Sequence, residues 1–127
     1  MDPQTEDELG RALQLIEDAW LRGSTPPAQL PGGSDHRHRL SKLISDMLAL
    51  QGFALAMSKG DLSHTPKITG LMAGALKALQ ADLRHLTWQT RLIAKGDLSQ
   101  RVEFMGEFSE SFNSIVLRDC PQISVAI

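Results

Sequence analysis

Residues 59–63 read Lys-Gly-Asp-Leu-Ser, and residues 95–99 read the same five, 36 positions later. The register extends in both directions without a gap. Before the pentapeptide, Leu40 aligns with Leu76, Leu43 with Leu79, Met47 with Leu83, Leu50 with Leu86 and Met57 with Ile93. After it, Leu62 aligns with Leu98, Ile68 with Phe104 and Gly70 with Gly106. A repeat of this period is one supersecondary unit, which covers its apolar face only by packing on a copy or a partner. That constrains the fold more than any bulk property.

The apolar residues ahead of each pentapeptide are spaced for helices. One stripe runs Leu40, Leu43, Met47, Leu50, Ala54, Met57; the other runs Met72, Leu76, Leu79, Leu83, Leu86, Thr90, Ile93. Steps of four and three alternate, the 3.5-residue seam of a coiled coil or bundle. Gly60 and Gly96 are placed to stop these helices, and Asp35 to cap the first of them. A shorter pattern, Phe108, Phe112 and Ile115, predicts a last helix starting near Glu107, two turns long. Residues 117–127 read as an irregular tail.

An earlier helix is predicted from Leu9, Leu13, Ile16 and Trp20. Thr5 and Glu8 offer it a capping box, and Gly23 a left-handed stop. Residues 23–34 are rich in Pro, Gly and Ser and read as a linker. The first helix fits the repeat poorly and is expected to be an appendage. The organisation expected is therefore 1–34 as helix and linker, 35–71 and 72–116 as the repeats, and 117–127 as tail.

The connectors carry topology. About ten residues follow each pentapeptide, whereas an antiparallel helical hairpin needs roughly 2–8. An extended run of ~10 residues reaches roughly 33 Å, about the length of a 20-residue helix. Each connector can therefore run back along its helix and start the next one parallel to it. Leu62, Ile68, Leu98, Val102 and Phe104 would turn one apolar edge of the connectors towards the helices. Two such stripes do not close a core, whereas four from two chains do. The expected fold is all-α, a parallel four-helix bundle formed as a homodimer.

Composition narrows the function. The 127 residues carry a formal charge of −2 and 22% charged residues. That is too little net charge to suggest a nucleic-acid partner. Unbroken apolar runs are only a few residues long, so no membrane-spanning helix is expected. Cys120 is the one cysteine, which fits a reducing, cytoplasmic setting. The acidic N-terminus is unlike a secretory signal.

The stretch Ile93-Ala94-Lys95-Gly96-Asp97-Leu98-Ser99-Gln100-Arg101-Val102, followed by Gly106 and Ser111-Phe112-Asn113-Ser114-Ile115, resembles the connector and second helix of a HAMP domain. Residues 57–63 resemble a more degenerate second copy. The resemblance covers roughly residues 40–116. It implies tandem helix–connector–helix units, with the helix at 72–95 shared between them. HAMP domains are parallel dimeric bundles that relay conformational signals in bacterial chemoreceptors, histidine kinases and diguanylate cyclases. The resemblance thus implies a non-catalytic, cytoplasmic relay module with a sensor or output partner, a kinase or cyclase. The Asp-Glu-hydrophobic-Gly run usual at the start of the second HAMP helix is missing, as is the Pro usual before the first.

The residues expected to carry this role are structural: Gly60, Asp61 and Leu62; Gly96, Asp97 and Leu98; and Phe104, Gly106 and Phe112. Asp61 and Asp97 read as turn-fixing carboxylates, because no nucleophile recurs beside them. No catalytic, metal-binding or cofactor-binding residue is expected. His36 and His38, two apart, point to different sides of a helix and form a solvated basic turn with Arg37 and Arg39. His85 lies beside the seam and is followed by Leu86 rather than an acid. An alternative reading makes it the phosphoacceptor of a helical phosphotransfer protein. A second alternative is a truncated fragment serving only dimerisation.

Overall fold

The computed structural model describes residues 2–97, 99–103 and 106–126, with side chains through Arg118. Among these residues the chain is all-helical, with no strand: α1 is Pro3–Arg22, α2 Ser34–Ser58, α3 Leu71–Ala94 and α4 Glu107–Ala126. It forms two compact units, Met1–Ala73 and Gly74–Ile127. The segment expected as an appendage therefore joins the first repeat in one unit.

The helix ends differ in detail from the sequence expectation. The Thr5 capping box is not used. Pro3 opens α1, with Asp2 as an N-cap that makes no side-chain bond. A proline fits the first turn because its ring fixes a helical φ and it lacks an N–H that would be orphaned there anyway. Asp35 likewise sits in the first turn of α2, and Gly33 is the N-cap. The carboxylate still suits the positive end of the helix dipole. Gly23 ends α1 as expected, at φ 65°. The fourth helix is not two turns long, and residues 117–126 are not irregular, since α4 continues to Ala126. A buried stripe reports what a helix packs against, not where its backbone ends. Pro121 removes one backbone donor, but no glycine there supplies a left-handed stop.

In the first unit, α1 lies along α2. Ala19, Leu40 and Ile44 form the core, with Ala12, Leu15, Ile16, Leu30, Met47 and Leu48 packed around it. Only Ile16 of the expected α1 stripe faces this core; Leu13 is 51% exposed and Trp20 62%. The helix is thus apolar on two faces, one spent inside the chain and one left outward. Leu30 makes residues 23–33 part of the packing rather than an inert linker.

The two helices run in the same direction. Glu8, Leu9 and Ala12 of α1 line one cleft with His36 and Leu40 near the start of α2. At the other end, Gln51 Nε2 donates to the carbonyls of Ala19 and Trp20 at 2.9 and 3.0 Å. Residues 23–33 therefore return along α1, as was expected only of the later connectors. The next connector does the same. Buried Ile68 lines a groove with Leu43, Met47 and Leu50, so by that point the chain is back at the middle of α2.

α2 is also long and apolar enough to cross a membrane by length and composition, with an 18-residue window of mean hydropathy 1.3. The contrary expectation rested on unbroken apolar runs, which Asp46 and Gln51 interrupt. Asp46 accepts from Lys42 Nζ at 3.0 Å, and Gln51 is engaged with α1.

The centre of the first core is small, so each of its side chains counts. Ile44→Ala is expected to destabilise the first unit by about 2–4 kcal/mol through lost burial and the cavity left behind. Urea denaturation followed by circular dichroism checks this; a loss below about 1 kcal/mol would mean that α1 does not pack there in solution.

Candidate functional site

The repeated pentapeptide is a helix stop fused to a side-chain-fixed turn. At the end of α2, Gly60 N–H bonds to the Met57 carbonyl at 3.0 Å and Asp61 N–H to the Ala56 carbonyl at 2.9 Å. At the end of α3, Gly96 N–H bonds to the Ile93 carbonyl at 2.9 Å and Asp97 N–H to the Leu92 carbonyl at 3.0 Å. Both are the paired bonds of a Schellman cap, which places the glycine in a positive-φ conformation. Gly60 has φ 85° and Gly96 φ 102°. An L side chain is strained there although the space around it is open.

The aspartate then turns the chain. Asp61 Oδ1 accepts from Ser63 N–H at 3.0 Å and from its hydroxyl, and Asp97 Oδ1 does the same with Ser99. Asp97 Oδ2 also accepts from Gln100 Nε2 at 2.9 Å. Lys-Gly-Asp-Leu-Ser is thus a structural instruction: stop the helix, then bend the backbone with an Asx turn. Both carboxyls are held below the usual aspartate range, chiefly by the serine hydroxyl in each case.

Beyond the second pentapeptide, side chains from two helices grip the connector. Gln89 of α3 donates through Nε2 to the Arg101 carbonyl at 2.7 Å. Asn113 of α4 accepts the Val102 N–H on Oδ1 at 2.8 Å and donates Nδ2 to the Val102 carbonyl at 2.9 Å. Val102 itself is buried. An extended segment has no ladder of its own, so such bonds are how its backbone is satisfied away from water. Residues 101–102 lie level with Gln89, several residues short of the end of α3, and with Asn113, inside the second turn of α4.

Gly106, with φ 50°, closes this connector where α4 begins. The other connectors share the device: Gly23 and Gly32, Gly60 and Gly70, and Gly96 and Gly106 all have positive φ, one at each end. Leu62 and Phe112 are half-buried. Leu98 and Phe104, expected to clamp the connector, lie outside the described residues.

Gln89 and Asn113 escaped the sequence reading as site residues. Asn113 drew notice only within the family resemblance, and Gln89 was given no role of its own. A buried glutamine has no periodic signature. The first connector was legible in principle, because its two glycines are nine apart against ten in the others.

His85 is exposed, its ring 5.6 Å from that of Trp88 and tilted by 50°. Among the described residues no group of three or more His, Cys, Asp or Glu side chains is arranged to hold a metal ion. Compared with protein-family models, curated proteins and solved structures, the chain matches none of them.

Two outcomes follow for the turns. Gly96→Ala is expected to cost about 1–2 kcal/mol from its backbone conformation alone. Gly52→Ala, inside α2 with nothing near its Cβ position, is expected to stabilise by about 0.5–1 kcal/mol. Opposite signs in urea titrations check the pair. The second outcome concerns pH. Because the folded Asp61 and Asp97 values are lowered, the stability they add is complete above the ordinary aspartate value and is lost as pH falls through the depressed folded value. Carboxyl carbon titration by NMR should give both midpoints below that of an unstructured aspartate. Midpoints at or above it would mean that the Asx turns do not form in solution.

Proposed function

We propose that this chain is a non-catalytic relay and dimerisation module of a bacterial sensor system. In this reading two copies associate in parallel, and their bundle passes a change of helix packing from one end to the other. The observation that carries it is where apolar side chains remain uncovered. Leu43 of α2 is 48% exposed, Met72 of α3 58% and Phe108 of α4 64%. Leu9, Leu13 and Trp20 of α1, Leu79 of α3 and Ile115 of α4 are exposed as well. On α3 and α4 two of them stand one heptad apart, Met72 with Leu79 and Phe108 with Ile115, whereas on α2 Leu43 is exposed beside a seam whose Leu40 is buried and whose Met47 and Leu50 are half-buried. Scattered apolar residues on a surface need no partner, but residues in one heptad register along a helix do.

Supporting this, α1 and α2, the adjacent pair of the first compact unit, run the same way. A parallel pair presents its seam at every level, so a second copy related by a two-fold axis offers a matching one. The resemblance to HAMP domains supplies the function: two packings of such a bundle, differing by a few kcal/mol, biased by an input. Moving the population from 1:99 to 99:1 requires about 5.5 kcal/mol of differential interaction from that input. The natural partners are a sensor segment upstream and a kinase or cyclase downstream. Asp61 and Asp97, spent on turns, have no catalytic part in this reading.

Light scattering on the purified chain is expected to give the mass of two copies at micromolar concentration, with a melting temperature that rises with concentration. Leu79→Asp, placed in the seam and away from every connector bond, should shift the mass to one copy. A folded single chain in the unmutated protein would remove the dimeric scaffold and the relay with it.

A further inference from the structure

The two repeats match in sequence but not in the chemistry of their buried layer. Ile44 and Phe53 of α2 are 0% and 5% exposed. At the same 36-residue offset α3 carries Gln80 and Gln89, equally buried at 2% and 4%. At these two positions α2 buries an aliphatic and an aromatic side chain and α3 two amides. Gln89 is moreover only half satisfied. Its Nε2 holds the Arg101 carbonyl at 2.7 Å, while its Oε1 is buried with no hydrogen-bond partner among the described residues. A buried amide oxygen without a donor has lost its water and gained nothing in return.

We propose that Gln89 makes the second unit the yielding one: the packing described here is strained at this amide, and release of the connector at 95–106 from Gln89 opens the way to a second packing. This rests on the reading of the chain as a relay with two packings, and assigns the bistable element within it. When Gln89 lets go of the Arg101 carbonyl, its whole amide can turn to water or to another donor. The cap at Gly96 and Asp97 stays with α3, and at Val102 the Asn113 grip stays with α4. The break therefore falls between the capped end of α3 and Val102, and Val102 moves with α4. The first unit, with Phe53 at the matching position, has no polar group there to release and stays closed.

Amide hydrogen exchange read by mass spectrometry on the full chain tests this, using the unmutated protein, Gln89→Phe and Gln89→Leu. In the unmutated chain, residues 95–106 are expected to exchange roughly tenfold faster than residues 59–70. Gln89→Phe copies the first repeat and should slow exchange at 95–106 to within about threefold of 59–70, leaving 59–70 unchanged. Gln89→Leu, smaller and free of overpacking, should act in the same direction. Equal protection of the two connectors in the unmutated chain overturns the proposal. So does faster exchange at 95–106 in both variants, or unfolding of both, since the amide would then be a clasp and not a release point. The mass of the same samples separates the two readings: a dimer with equally protected connectors overturns this inference alone, and a monomer overturns the relay reading whatever the exchange.

Discussion

A helix followed by a second helix running the same way obliges the chain to come back, and the returning backbone must bond to something. Everything particular to this molecule answers that requirement. Glycines at positive φ turn the chain out of one helix and into the next. Aspartates bend it by accepting from a serine two positions on. Gln89 and Asn113 then satisfy three polar atoms of two consecutive peptide groups in the middle of the return run. Side chains here do for the connector what a neighbouring strand does in a sheet. Because the return run lies along the helices, part of each seam is spent on the chain's own connector or neighbour, as Leu40 and Met47 of α2 are, and part stays outward, as Leu43, Leu79 and Ile115 do.

The division of labour between the faces of α1 makes the same point. Ala12, Leu15, Ile16 and Ala19 are small enough, or placed well enough, to let α2 approach. Leu13 and Trp20 point elsewhere. A helix with two apolar faces in a chain of this size has more greasy surface than its own fold covers. Leu13 and Trp20 are the part of α1 that this packing leaves uncovered.

How much of this could be read in advance depended on how each signal is written. The helices of the repeat were legible because burial forces a 3.5-residue period. The stops at Gly60 and Gly96, and the aspartate turns behind them, were legible because only certain residues tolerate those conformations. The first connector was hidden by its composition: Pro26, Pro31 and paired glycines look like any linker, and only Leu30 betrays packing. The Thr5 box failed because Pro3 opens the helix earlier. The length of α4 was missed because its seam fades before its backbone does. Gln89 and Asn113 act through single bonds to backbone atoms, and a single contact leaves no pattern along a sequence.

The claim on which the rest stands is that two copies of this chain lie side by side in one direction along their exposed seams. Spin labels read it most directly. In a Cys120→Ser background, one label is placed near the start of α3 by Ala78→Cys and, in a separate protein, near its end by Arg91→Cys. Pulsed electron resonance then measures the distance between the labels of paired chains. Two parallel copies give a short, similar distance at both positions. Antiparallel copies give long distances at these outer positions, and unpaired chains give no inter-label distance at all; either finding would overturn the parallel dimer.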